Sequence, residues 1–236
     1  MTTNASFRIL GSAASMFFLG LYQEATAQSN ITAVASVGST NIELTGAGIL
    51  DIADPYIKPI TQYTAGLQYE KNLSRHFALI TGAQYSSRGF AVREEFDLNV
   101  LGLDVPIGAS IETRLNYLEA PLMVKYNFTE GGVTPYVKAG ASAAYALNGK
   151  ITPKVNALIN WTLPSININL DNEIYNRFDL SAVAGAGVSI PTNEVGAFQF
   201  EVSYRHSLNN MLQDNIANLG IKSHGFAVGI GYTLTF

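Results

Sequence analysis

The last twelve residues, 225-GFAVGIGYTLTF-236, decide how the chain is read. Every second position is apolar: Phe226, Val228, Ile230, Tyr232, Leu234 and Phe236. The positions between are Ala227, Gly229, Gly231, Thr233 and Thr235. A period of two belongs to a strand with one apolar face and one face of small or polar residues. It runs to the terminal aromatic, which suits a strand that closes a barrel and leaves no edge to protect.

Working back from that strand, similar alternation recurs at about 30–38, 61–71, 76–89, 114–128, 133–148, 175–190 and 196–206, with the final strand at 223–236. Three connections are short and rich in turn residues, "NLSR", "TEGG" and "PTNEVG". The other four, about 39–60, 90–113, 149–174 and 207–222, are long, and short and long alternate strictly. In an antiparallel meander that rhythm gathers the short turns at one end and the long loops at the other. This is the asymmetry of an outer-membrane barrel, with short periplasmic turns and long extracellular loops. The expected fold is therefore all-β, an eight-stranded antiparallel up-and-down transmembrane barrel.

Composition agrees. Only 14% of residues are charged, against about 25% in soluble domains, and the net charge is −4. The acidic balance argues against a nucleic-acid partner. With no cysteine, a disulfide framework and a cysteine zinc site are excluded. At the N-terminus, Arg8 precedes an apolar run from Ile9 to Tyr22 that ends in Ala25-Thr26-Ala27. That pattern reads as a signal peptide cleaved after Ala27. Residues 1–27 are expected to be removed, leaving 28–236 as one barrel domain exported to the outer membrane of a Gram-negative cell.

The two faces carry different chemistry. One holds Tyr63, Leu67, Tyr69, Leu118, Leu122, Val124, Tyr126, Phe128, Phe198, Phe200 and Val202, with aromatics beside the short turns as in an interfacial girdle. The other is small and polar but includes Glu70, Glu119, Asp179 and Glu201, against Lys125, Lys138, Arg177 and Arg205. Eight strands leave a lumen filled by side chains, so these eight are expected to form a lumen charge network. If Phe128 faces Val133 across "TEGG", Lys125 and Lys138 are diagonal neighbours and need Glu70, Glu119 or Glu201 from across the lumen. If Ile190 faces Gly196, Asp179 and Arg205 are diagonal partners. Pro121, which cannot donate to a ladder, predicts a bulge near Ala120 and Pro121.

The stretch "LNYLEAPLMVKYNF", followed by "VTPYVKAGASAAYAL", resembles the PorT-type outer-membrane β-barrel family of Bacteroidetes. The matching positions are Asn116, Tyr117, Glu119, Pro121, Lys125 and Tyr126. "FDLSAVAGAGVSI", "FEVSYRHSLNNM" and the terminal stretch resemble that family's last three strands, so the likeness runs from about residue 61 onward. It implies a membrane barrel whose members differ in their loops, with the founding member linked to protein secretion and gliding.

His206 and His224 share the lipid-facing parity at the outer ends of two neighbouring strands, near Ser207 and Ser223. A lipid-modifying enzyme would need an orienting acid and a nucleophile beside them, and Asp179 points inward, so the expectation is a non-enzymatic barrel. His76 sits by a short turn. "DIADP" and "REEFD" lack the spacing of a calcium loop, and no metal or cofactor site is read. The second and third long loops are unusually apolar, with Phe96, Leu98 and Leu103 in one and Trp161 and Leu163 in the other. They are expected to extend the strands beyond the membrane and either bind a protein partner or cap the barrel. Tyr232, Leu234 and Phe236 read as the C-terminal signal for the barrel-assembly machinery. A soluble lipocalin-like carrier, with the apolar face inward, is the remaining alternative.

Overall fold

Eight long strands follow the alternating stretches, with two short ones between the fifth and sixth. They are β1 (Ser29–Thr45), β2 (Ile57–Asn72), β3 (Phe77–Val100), β4 (Leu103–Asn127), β5 (Thr134–Asn156), β6 (Asn160–Thr162), β7 (Ile166–Ile168), β8 (Phe178–Pro191), β9 (Gly196–Ser207) and β10 (Gly220–Thr235). The structure is a computed structural model that describes residues 29–45, 56–100, 103–156, 160–168, 170, 176–192, 196–211 and 220–236. At 45, 95–100, 103–107, 156 and 160–162 it describes the backbone alone. The expected signal segment, residues 1–27, lies outside the described residues.

Each long strand pairs antiparallel with its neighbours in the order β1, β2, β3, β4, β5, β8, β9, β10, and β10 returns to β1. The seam is long, running from Asn30 opposite Thr235 to Thr45 opposite Gly220. Ser29 and Phe236 exchange backbone hydrogen bonds of 3.3 and 3.1 Å. The terminal alternating stretch is thus the strand that shuts the ring.

The alternation is realised as outside and inside. Leu67, Leu122, Val202, Phe226 and Ile230 are well exposed on the outer wall. Thr32, Gln68, Gln84, Ser142, Gln199 and Thr233 are buried within. A soluble carrier needs the reverse, so the lipocalin-like alternative falls. On β10 the outward series from Phe226 to Phe236 spans about 34 Å along the strand. At a barrel tilt near 40° it covers about 26 Å of membrane normal, the height of an outer-membrane apolar band. Aromatic pairs sit near the short-turn end, with Phe198–Tyr232 ring centroids 5.0 Å apart and Phe77–Tyr126 centroids 5.1 Å apart.

Two sequence expectations about register are corrected. The β4–β5 turn spans residues 128–133, with Phe128 N–H bonded to the Pro135 carbonyl at 3.0 Å. Gly131 and Gly132 both take positive φ, 73° and 66°, where only glycine is unstrained. This larger turn puts Lys125 directly opposite Lys138 instead of diagonal to it. The expected bulge at Pro121 is also absent. The β3–β4 ladder lacks bridges where Pro121 and Ala120 face Gly82 and Ala83, then resumes in the same register at Gln84 and Glu119. The missing donor costs a bridge without forcing an extra residue into the strand. The bulge lies higher, where Leu147 is the extra residue of β5 opposite Asn116 and Tyr117.

Strands β3, β4 and β5 hold 24, 25 and 23 residues, whereas a tilted membrane strand needs about 9–11. They overrun the barrel at the long-loop end and pair as a projecting sheet, with β6 and β7 against β5.

Candidate functional site

The lumen is organised as layers of charge. Nearest the short turns, Lys125 Nζ bonds Glu70 at 2.9 Å and lies 4.4 Å from the centroid of the Tyr136 ring. Directly opposite on the next strand, Lys138 Nζ bonds Glu201 at 2.7 Å, and the Tyr136 hydroxyl donates to the same carboxylate at 3.1 Å. Two like charges can face each other here because each turns to a carboxylate on a different strand, β2 or β9. Gly187 makes room for this, since a Cβ there would lie 2.6 Å from the Tyr136 ring.

The upper layer crosses the barrel. Arg205 on β9 bonds Glu119 on β4 at 2.6 Å, and Arg88 on β3 bonds Asp179 on β8 at 2.8 Å. Arg88 also stands 3.6 Å from Glu119, which links the two pairs. The Glu119 carboxylate is wholly buried. Asp179 accepts from Ser181 at 2.7 Å, Ser181 meets Ser207 at 3.4 Å, and Ser207 in turn meets Ser223 at 3.0 Å. Between the layers lies a cavity of about 80 Å³ with a mixed lining that includes Gln62, Gln68, Gln84, Gln199, Arg205 and Met123.

Three placements differ from the sequence expectation. Asp179 meets Arg88, not Arg205, because Ile190 faces Phe198 and Arg205 then falls opposite Val183. Arg177 sits just before β8, donates to the Leu170 carbonyl at 3.1 Å and the Tyr145 hydroxyl at 3.3 Å, and lies over the outward Tyr145 ring. Its place in the lumen is taken by Arg88, which the sequence reading missed. The signal was present: Ile80, Gly82, Gln84, Ser86 and Arg88 share one parity.

Above this belt an apolar cluster occupies part of the mouth. Leu115, Tyr117, Ala144, Ala146 and Leu170 form a buried cluster with Ile168 and Met211 against it, and the Arg88 guanidinium lies 4.2 Å from the Tyr117 ring centroid. Leu170, Ile168 and Met211 come from the third and fourth long connections, so parts of the loops do cap the barrel.

The projecting sheet continues the face parity of the wall. β3 and β4 keep one register from Phe77–Tyr126 to Val100–Leu103, and the Leu147 bulge brings β5 into step above it. Rows across the lumen-side face read Phe90–Thr113–Ile151–Ile166, then Val92–Ile111–Pro153, then Glu94–Ala109–Val155, with the backbone of Trp161 paired to Val155. Val92, Ile111, Val155, Leu163 and Ile166 are exposed, the last at 63%. The opposite face is polar: Glu112 bonds Arg114 at 2.8 Å and Lys154 at 2.5 Å, with Ser110 and Thr152 alongside. Desolvation pushes the Glu112 carboxyl up, but hydrogen bonds and charge from Lys154 and Arg114 outweigh it and hold it below the usual range. Backbone pairs join Phe96 to Ile107, Leu98 to Val105 and Leu103 to Val100; the side chains of Phe96, Leu98, Leu103 and Trp161 lie outside the described residues.

Residues 22–213 match the family described as the outer membrane protein beta-barrel domain. The chain belongs to that family. As a member of the outer membrane protein beta-barrel family, it resides in the outer membrane of a Gram-negative cell, and its outward face meets lipid. Several solved structures resemble it at low identity. Outer membrane protein OprG of Pseudomonas aeruginosa is 14% identical, with 89% of this chain and 96% of that one covered and a TM-score of 0.45. Ail, the attachment invasion locus protein of Yersinia pestis, is 17% identical over 86% and 98% of the two chains, with a TM-score of 0.35. The outer membrane protease OmpT of Escherichia coli is 9% identical over 89% and 97%, with a TM-score of 0.37. No protein of curated function matches the sequence significantly. In this family barrel, His206 and His224 stand directly opposite each other on the outer wall, with ring centroids 6.5 Å apart. His76 stacks on Tyr126 at the other end, 5.8 Å between centroids. Among the described residues no three of His, Cys, Asp and Glu gather as a metal site.

Proposed function

We propose that this outer-membrane barrel is a non-enzymatic accessory protein that presents its extracellular sheet to a protein partner in secretion or surface attachment. The observation that carries this reading is the change of face at the rim. Within the membrane the outward wall is apolar because lipid is there. Beyond it the outward face becomes the Glu112–Arg114–Lys154 cluster, and the apolar residues move to the lumen-side face. Neither lipid nor the mouth cluster covers Val92, Ile111, Val155 or Ile166, and a contiguous exposed apolar patch of that kind marks an interaction surface. The exposed edge of a projecting sheet also offers main-chain groups for strand addition.

Two further features support a role without catalysis or transport. Asp179 lies inside the wall, engaged with Arg88 and Ser181, whereas His206 and His224 lie outside it, so no acid–histidine–serine set assembles from these residues. Ion pairs cross the lumen and an apolar cluster lies at its mouth, which supports a barrel without an open pore. The PorT-like likeness favours a secretion context, and the signal peptide at 1–27 and the assembly signal at Tyr232, Leu234 and Phe236 belong to the same proposal.

The test places a photo-crosslinking residue at Ile111 or Ile166 and, as a control, at Leu67 in the lipid-facing belt. A discrete protein adduct at the first two sites only is expected. It should vanish when the hairpin is shortened at the Arg93–Ser110 pair, with heat-modifiable gel mobility showing that the barrel still folds. Absence of any adduct at Ile111 and Ile166 in intact cells refutes the reading.

A further inference from the structure

The histidine pair has a setting that neither the lumen nor the projecting sheet explains. Across the outer face, one lateral row reads Asn41 on β1, His224 on β10, His206 on β9 and Ala182 on β8. The row beneath it is Ser39, Phe226, Tyr204 and Ala184, in which the Phe226 and Tyr204 rings lie 4.6 Å apart. Above it Glu43 faces Lys222. The histidines therefore sit one step above the aromatic level of the wall and one step below a charged row, at the boundary between lipid and water.

Two atoms in this row are buried without a hydrogen-bond partner, His224 Nδ1 and Asn41 Oδ1, and their residues are cross-strand neighbours. One is a nitrogen and the other an oxygen, both able to donate an electron pair. A buried polar atom left unpaired normally has a structural or functional explanation. Beside them the His206 ring lies nearly parallel to that of His224, 26° between planes. Opposed cross-strand residues have Cβ atoms about 4.5–5.5 Å apart, close enough for two imidazoles to converge on one point.

We propose that Asn41, His206 and His224 form a binding site for a borderline transition-metal ion such as Zn²⁺, Ni²⁺ or Cu²⁺ at the outer membrane surface. Imidazole nitrogen selects these ions over magnesium and calcium, which prefer oxygen. With metal–nitrogen bonds of about 2.0–2.1 Å and a tetrahedral angle, the two ring centroids would stand about 5 Å apart. From the present 6.5 Å, a closing movement of about 1–1.5 Å in side-chain torsions suffices. The Asn41 amide oxygen supplies a third ligand and water the remaining position. No third histidine or carboxylate converges there among the described residues, so affinity should be modest, in the micromolar range. The site is built from three strands that span the β1–β10 seam, so an occupied site would also clamp the closing strand to both neighbours.

The test is calorimetric titration of Zn²⁺ into the tag-free barrel in zwitterionic detergent. One ion per chain with a micromolar Kd is expected. His206→Ala combined with His224→Ala should weaken binding at least tenfold, and Asn41→Ala several-fold, whereas His76→Ala should bind as the unaltered chain does. Heat-modifiable mobility in each variant separates loss of the site from loss of the fold. Failure of the unaltered barrel to bind Zn²⁺, or equal binding by the double variant, overturns the proposal. Equal binding by Asn41→Ala removes the amide from the ligand set. A readout independent of affinity is the imidazole NMR signals, of which those of residues 206 and 224 should move on adding Zn²⁺ and that of His76 should not.

Discussion

Replacing Glu119 with glutamine tests whether the upper charge belt is a mutual arrangement or a set of independent pairs. The carboxylate is wholly buried, bonded to Arg205 at 2.6 Å and flanked by Arg88 at 3.6 Å. In the native belt two guanidinium groups face two carboxylates. Glutamine keeps the shape and one acceptor but leaves two buried cations with Asp179 alone. Removing one partner of a buried ion pair costs about 3–5 kcal/mol, because the other charge stays desolvated and uncompensated. That is roughly two to four orders of magnitude in the folding equilibrium constant.

The assay is urea unfolding of the refolded barrel in phospholipid vesicles, followed by circular dichroism. Three variants separate the causes. Arg205→Gln alone leaves Arg88, at 3.6 Å, as the cation facing Glu119 and should also destabilise, by about 2–4 kcal/mol. The double variant Glu119→Gln, Arg205→Gln restores neutrality and leaves the Arg88–Asp179 pair whole, so it should be less destabilised than the sum of its parts by at least about 2 kcal/mol. Ser142→Ala, which removes a 3.5 Å hydrogen bond to the same carboxylate, should cost no more than about 1 kcal/mol. Additivity of the two glutamine variants within about 0.5 kcal/mol, or a cost for Glu119→Gln under about 1 kcal/mol, would refute the belt as a coupled unit.

Other outcomes follow from single positions. Gly187→Ala brings a methyl group to 2.6 Å from the Tyr136 ring and should destabilise the barrel by about 1–3 kcal/mol, read by the same unfolding assay. Gly131→Ala, at φ 73° in the β4–β5 turn, should cost about 1 kcal/mol, whereas Gly131→Asn should cost less. For Glu112, whose carboxyl is held below its ordinary range, the stabilisation is complete above the unfolded value of about 4.3 and is lost as pH falls through the lower folded value. A carboxyl carbon NMR titration should show that low midpoint, and Lys154→Met should raise it. Deleting Phe236, whose backbone N–H bonds Ser29 across the seam at 3.1 Å, should reduce membrane assembly in cells; normal insertion of the shortened chain would contradict its assignment as an assembly signal.

The barrel itself was legible because a strand facing lipid has to alternate, and the alternation of Tyr63, Leu67 and Tyr69 or of Phe198, Phe200 and Val202 needs no partner to be seen. Strand order followed from the rhythm of short and long connections. Pairings across the lumen were not legible in the same way, since they depend on stagger. A two-residue difference at "TEGG" moved Lys125 from diagonal to opposite Lys138, and a similar difference at "PTNEVG" separated Asp179 from Arg205. Arg88 was lost for another reason. The third strand was expected to end at residue 89, which placed this arginine at a loop boundary, whereas β3 runs on to Val100. The change of face above the rim could not be read from β5 alone, because the extra residue at Leu147 reverses the parity of everything after it.

That bulge connects the two halves of the molecule. Below it, inward positions of β5 are even-numbered, as at Tyr136, Lys138 and Ser142, and carry the polar lumen. Without an extra residue the same parity above the rim would carry Lys150, Thr152 and Lys154 on the lumen-side face, and Ile151, Pro153 and Val155 would join Arg114 and Glu112 on the outer one. Leu147 shifts the series by one, so the β5 apolar residues fall in line with Val92 and Ile111, and Lys154 reaches Glu112. One added residue thereby sorts the projecting sheet into a charged face and an apolar face. Deleting Leu147 should scramble that sorting while leaving the ring below it closed. Crosslinking from Ile111 should then be lost with heat-modifiable mobility preserved, whereas an unchanged adduct would show that the apolar face does not depend on the bulge.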